Sequence, residues 1–211
     1  MRCAPFFRDF TVTTAWIYLA CLGPALLVGC SSAPVLPPPP PPLDPPAATV
    51  AAMQMVDANK SSSLDRQEMA AYPSLLSALP RIDTDQDGTV TSVELQNRFN
   101  TYDQMAIGVL PFTCVIMGEK APVEGVQAKL IPEPFMSTWL KPASGTSDAT
   151  GQIIFKVDGA TEPGVPRGLY RLELSGNNRL PPQFLAPTRM GVELMMDNRE
   201  IESGMLIRLL K

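Results

Sequence analysis

The sequence predicts an α+β chain built as separate modules, a small helical unit followed by an antiparallel β-sandwich. Three observations predict it. Apolar residues recur at helical spacing on both sides of two acidic loops, within residues 48–105. Near Gly108 the period changes to alternation. From there on, short apolar runs are separated by clusters rich in glycine and proline.

Ahead of the helical unit lies a leader. Arg2 and Arg8 precede an apolar stretch, 11–28, that is too short and too poorly flanked for a spanning helix. It ends in Leu27, Val28, Gly29 and Cys30. These four residues, so placed, resemble a bacterial lipobox. The resemblance implies that 1–29 is a lipoprotein signal peptide, that the Cys30 thiol is lipidated, and that the chain is cut just before it. Serine rather than aspartate at position 31 implies, within that family, passage to the outer membrane. The expected partner is then the membrane, through the lipid anchor. Several acyl chains hold stably, because each buried CH₂ contributes about 0.8 kcal/mol. Residues 30–47 carry the lipidated cysteine and a linker with six consecutive prolines, 37–42. Proline fixes φ and cannot donate to a helix or ladder, so an extended spacer is expected, on the order of 50 Å long.

Charge and composition exclude several classes. The formal net charge is −4, and removing Arg2, Arg8 and Asp9 with the leader leaves 15 basic and 20 acidic residues. There is no basic block interleaved with aromatics, so no nucleic-acid partner is expected. Histidine is absent, which removes Ser-His-Asp and Cys-His catalysis and His-ligated zinc. With no nucleophile elbow, phosphate loop or paired-cysteine metal motif either, the chain is not expected to be an enzyme.

The two acidic loops carry the chemistry. Residues 83–94 place oxygen-bearing groups at alternate positions: Asp83, Asp85, Asp87, Thr89, Thr91 and Glu94. Calcium takes six to eight hard oxygens at about 2.3–2.6 Å, and a tightly turned loop supplies them in this rhythm. The segment resembles the EF-hand family at each of these positions. The resemblance implies side-chain oxygens from Asp83, Asp85 and Asp87, the backbone carbonyl of Thr89, a water-mediated contact from Thr91, and both oxygens of Glu94. Gly88 stands at the sharp turn, and Val90 is expected to pair with a partner loop. Residues 57–68 follow the same template less closely. Asp57, Asn59, Ser61, Asp65 and Glu68 supply oxygens, Ser63 offers its carbonyl, and Leu64 matches Val90. Ser62 replaces the turn glycine and Ser61 replaces a carboxylate, so this site is expected to be the weaker, or to keep its shape without an ion.

Residues 48–105 are therefore expected to form an EF-hand pair. Ala52, Met53 and Val56 precede the first loop, and Met69 and Tyr72 follow it. Leu75, Leu76, Leu79 and Ile82 lead into the second loop, and Leu95, Arg98, Phe99 and Tyr102 leave it. Met53, Met55 and Met69 are expected in the core, with a calmodulin-like target groove as the alternative.

In residues 108–211 the apolar runs fall at 112–117, 123–131, 152–157, 168–174, 189–196 and 205–210. Turn clusters are expected at 118–122, 143–151, 159–167, 175–187 and 197–204. Ala121 to Val126, the 146–151 segment before a strand, Gly168 to Leu172 and the Pro181, Pro182, Gln183, Phe184 loop together resemble the carboxypeptidase-regulatory-like, transthyretin-like sandwiches of small bacterial envelope lipoproteins. The resemblance covers most of 109–211 and implies a rigid structural or adhesive unit without catalytic residues. Trp139, beside Phe135 and Met136, is expected to plug one open end of the sandwich, with a binding feature as the alternative.

The combined expectation is a calcium-binding envelope lipoprotein with a structural or adhesive role, meeting an envelope protein or surface polymer. The alternative is a calcium-dependent partner-binding adaptor, dockerin-like or of the sensor type. The anchor is tested by metabolic labelling with a fatty-acid probe. Cys30→Ala abolishes the label and releases soluble protein; a labelled variant contradicts lipidation at Cys30.

Overall fold

The computed structural model describes residues 42–105, 108–177, 180, 190–202 and 204–209. The leader, Cys30, most of the proline tract and the Pro181, Pro182, Gln183, Phe184 loop lie outside the described residues. No helix among the described residues is long and apolar enough to cross a membrane.

Mixed helices and largely antiparallel sheets give an α+β chain. Helix α1 (Pro45–Val56) starts earlier than the linker boundary at 47 expected from sequence. Asp44 caps it, accepting from the Ala47 amide at 3.0 Å. Pro45 and Pro46 occupy the first turn, where an N–H would have no intrahelical acceptor, so the prolines that look like spacer start the helix instead. Ala48, Ala52 and Val56 give it one buried face. The short α2 (Arg66–Met69) leads to α3 (Pro73–Ile82), again opened by proline. Helix α4 (Ser92–Gln104) buries Leu95, Arg98, Phe99 and Tyr102, the positions its helical spacing marks. A fully buried leucine or phenylalanine contributes about 1.5–3 kcal/mol, so Leu95 and Phe99 are main holders of this helix.

Between the helices, β1 (Ser63–Leu64) pairs antiparallel with β2 (Val90–Thr91), placing Leu64 opposite Val90. The remaining described strands form two sheets. The first, in the order β10–β3–β6, joins Met205–Arg208, Thr113–Met117 and Gln152–Ile154. The second runs β7–β5–β4–β8–β9, from Lys156–Val157 through Ala143–Thr146, Gln127–Pro132 and Gly168–Ser175 to Gly191–Leu194.

Four expectations are corrected. Strand β5 lies in a segment assigned to a turn cluster, because Ala, Ser and Gly are poor strand formers and its ladder with β4 decides the matter. The run 152–157 is two strands in different sheets, divided at the fully buried Phe155. Strand β10 runs parallel to β3, so the sheets are not wholly antiparallel. These strands are far apart in sequence, and no hairpin dictates their direction.

The fourth correction concerns modularity. The described residues all belong to one compact unit, and the helices share a hydrophobic core with the sheets. Helix α3 lies on β9 and β8. At Gly191 the approach is so close that a Cβ would overlap the backbone of Pro73 and Ser74. Phe135, in the 3₁₀ turn Pro134–Met136, meets Tyr72 at 6.0 Å and Phe99 at 6.4 Å between ring centroids. Glu133, fully buried, accepts from the Ser74 hydroxyl at 2.6 Å, while Arg171 stands at 3.7 Å. Burial raises its pKa, against the lowering effect of Ser74 and Arg171. Cys114 of β3 is a buried thiol whose pKa burial pushes up to about 12.

The close approach at Gly191 sets a test. Gly191→Ala forces backbone against backbone and lowers unfolding stability by about 1–3 kcal/mol, the usual cost of overpacking. Urea denaturation measures it, and an unchanged midpoint contradicts the contact.

Candidate metal centre

The second loop, 83–94, is held by its own side chains. Asp83 follows the last residue of α3 as its C-cap, and its Oδ2 accepts from the Gly88 amide at 3.0 Å. Asp85 Oδ1 accepts from the Asp87 amide at 3.2 Å, and Asp87 Oδ1 accepts from the Thr89 amide at 2.7 Å. Gly88 has φ +89°, a left-handed conformation that glycine adopts without steric cost. These turns aim three carboxylates inward. One oxygen each from Asp83, Asp85 and Asp87 lies within 4.8 Å of the others. Asp83 Oδ1 is buried with no hydrogen-bond partner. A buried carboxylate oxygen without a donor is costly, and a cation between the three residues would satisfy it.

Glu94 closes the loop. Its Oε1 accepts from the Thr84 amide at 2.8 Å and its Oε2 from the Thr91 amide at 2.9 Å. Thr91 in turn caps α4, and the two residues form a reciprocal capping box. The residue that ends the acidic pattern therefore also starts the helix. Burial works against the charge on Glu94, but hydrogen bonds from Thr91 and Thr84 outweigh it and hold its pKa at about 2. Glu94 lies outside the aspartate cluster. Thr89 donates its hydroxyl to Asp87 Oδ1 at 2.8 Å, and the Thr91 hydroxyl faces Glu94 Oε2 at 2.9 Å.

The first loop, 57–68, repeats this backbone. Lys60 and Ser62 have φ of 60° and 68°, against 62° at Gln86 and the left-handed Gly88 in the second loop. Ser62 thus takes the strained turn expected of it, at a cost of about 1–2 kcal/mol relative to glycine. Asp57 accepts from the Ser61 and Ser62 amides at 3.0 and 2.9 Å. Asn59 Oδ1 also accepts from the Ser61 amide, at 2.8 Å. Glu68 Oε1 and Oε2 accept from the Asn59 and Asp65 amides, both at 3.1 Å, and Asp65 with Glu68 makes a second capping box. The Ser61 hydroxyl donates to the Ser63 carbonyl at 2.8 Å. In this loop, then, a ligand-type hydroxyl and a ligand-type carbonyl satisfy one another. Among the described residues, 83, 85 and 87 form the one group of acidic or thiol ligands close enough for an ion.

The methionines divide. Met69 is fully buried, Met55 is half exposed, and Met53 lines a groove of about 410 Å³ with Val50 and Gln96. They do not share a target groove. Trp139 is half-buried beside Leu140 and lines a largely apolar pocket of about 600 Å³ with Tyr102, Val109 and Pro166.

What sequence reasoning missed is a buried ionic cluster beneath the second loop. Glu193 of β9, fully buried, accepts from Arg81 near the end of α3 and from Arg98 of α4, the latter at 2.6 Å. The Tyr102 hydroxyl donates to the same oxygen as Arg98. Arg98 also grips Asp197 through two hydrogen bonds of 2.7 and 2.8 Å, which hold the Asp197 pKa below the usual range. The available signal was Arg98 itself, a charged residue in the apolar register of α4.

Because the folded pKa of Glu94 lies below its unfolded value, its charge stabilises the folded state above about pH 4.5, and that contribution disappears as pH falls toward about 2. In chelator, urea unfolding at stepped pH shows this loss in the wild type, and Glu94→Gln flattens that part of the profile. An unaltered profile contradicts the assignment. No protein-family model matches the chain, and neither a curated protein nor a solved structure matches it.

Proposed function

We propose that the chain is a calcium-binding lipoprotein of the bacterial envelope, in which calcium orders an EF-hand-like pair of loops above a β-sandwich with a structural or adhesive role. The observation that carries this reading is the convergence of Asp83, Asp85 and Asp87 around the unpartnered Oδ1 of Asp83. An all-oxygen, strongly anionic site on a tightly turned loop suits calcium better than metals that prefer nitrogen or sulfur. Thr89 would add its carbonyl and Glu94 its carboxylate, after exchanging amide hydrogen bonds for the ion. The β1–β2 pairing that joins the two loops supports treating them as a pair. The single core beneath two sheets supports the sandwich.

The ion's role is structural in this reading. Extracellular modules of this kind bind at about 10⁻⁴–10⁻³ M, so ambient calcium keeps the site filled. At free calcium 100 times the dissociation constant, the folded state gains about 2.7 kcal/mol. Anchoring through Cys30 would hold the β domain at the membrane, where it meets an envelope protein or surface polymer.

Calorimetry on the full chain in detergent, with calcium and with magnesium, tests the proposal. Loop 83–94 gives the tighter calcium site, and Asp85→Asn or Glu94→Gln weakens it by about tenfold or more. Ser62→Gly strengthens binding at 57–68 by relieving the left-handed serine. The ranking is wrong if Glu68→Gln removes all binding while Glu94→Gln leaves it intact.

A further inference from the structure

The second loop is flanked by α3, which enters it at Asp83, and α4, which leaves it after Thr91. In a loop of this kind the angle between entering and leaving helices is the quantity that an ion would change if the site were a switch. Here each helix is fastened to the same carboxylate. Arg81, two residues before Asp83, donates to Glu193 Oε2. Arg98, one turn after Glu94, donates to Glu193 Oε1. Tyr102, a turn further along α4, donates to Oε1 as well. Glu193 is fully buried, and so is most of Arg98. Its own strand is fixed from the other side by the β8 ladder, which pairs Leu169 with Glu193, and by the Asn198 side chain, which donates to the Glu193 carbonyl at 2.8 Å.

We infer that Glu193 is the positioning residue of the second loop: it ties the helices before and after the loop to one point on β9, so the sheet sets their angle. Resting on the calcium reading, this means that the two flanking helices are set before the ion arrives, that calcium orders only the loop between them, and that the loop's affinity depends on a residue far away in sequence. Removing one partner of a buried charge cluster leaves the others uncompensated, so the effect of losing Glu193 falls on both helices at once.

The test uses the full chain in detergent. Hydrogen exchange in chelator gives the order of α3 and α4, and calorimetry gives the calcium affinity. Wild type keeps both helices protected without calcium. Glu193→Gln exposes the C-terminal turn of α3 and the first turns of α4 to exchange, and weakens calcium binding at least tenfold. Arg81→Met, which removes the entering-helix arm alone, weakens binding by a smaller factor and serves if Glu193→Gln does not fold. Glu133→Gln, in the buried contact with Arg171 and with Ser74 at the far end of α3 from the loop, controls for general loss of stability and leaves calcium affinity unchanged. The inference is overturned if Glu193→Gln and Arg81→Met bind calcium as wild type does, or if Glu133→Gln weakens binding equally. Absence of calcium binding in the wild type overturns the calcium reading instead, and exchange in chelator still decides whether Glu193 orders the helices.

Discussion

A carboxylate buried at the helix–sheet boundary must be matched by donors, because an isolated charge there costs several kcal/mol. Glu193 is matched by Arg81, Arg98 and Tyr102, and the match constrains much else. It requires α3 and α4 to present their polar groups to β9 in one register. At the opposite end of α3, its first residues lie so close to the sheet that position 191 tolerates no side chain. The match also draws Asp197 against Arg98, which fixes the turn after β9. Helices that in isolation would form a small core instead share the core of the sheets.

The loops and helices were legible in the sequence for local reasons. Each loop residue is assigned by its spacing, and the hydrogen bonds within 83–94 span ten residues or fewer. Apolar spacing located α3 and α4, and the capping residues Asp65 and Thr91 coincide with loop positions. The union of helices and sheets was not legible. Arg81 and Glu193 are 112 residues apart, and Arg98 and Glu193 are 95 apart. A glutamate in an apolar run gives no indication of which distant arginine neutralises it. Strand β5 was missed for a related reason, since its ladder to β4 and β7, rather than its composition, makes it a strand.

The two loops share one backbone but differ in how their oxygens are engaged. Both place left-handed residues at corresponding points, Lys60 and Ser62 in one, Gln86 and Gly88 in the other. They differ in where the oxygens are directed. In 83–94 an oxygen of Asp83 is left without a donor; in 57–68 the Ser61 hydroxyl and Ser63 carbonyl engage each other. An ion entering the first loop must displace those bonds and meets fewer carboxylates in return.

Burial of Cys114 has a consequence of a different kind. Burial pushes its pKa up to about 12, so the thiolate, through which oxidation and disulfide exchange proceed, is scarce at neutral pH. The sulfur is therefore kinetically silent while the sheet is closed. It becomes reactive when β3 separates from its neighbours, so the rate at which an alkylating reagent modifies it is a clock for the opening of the β core.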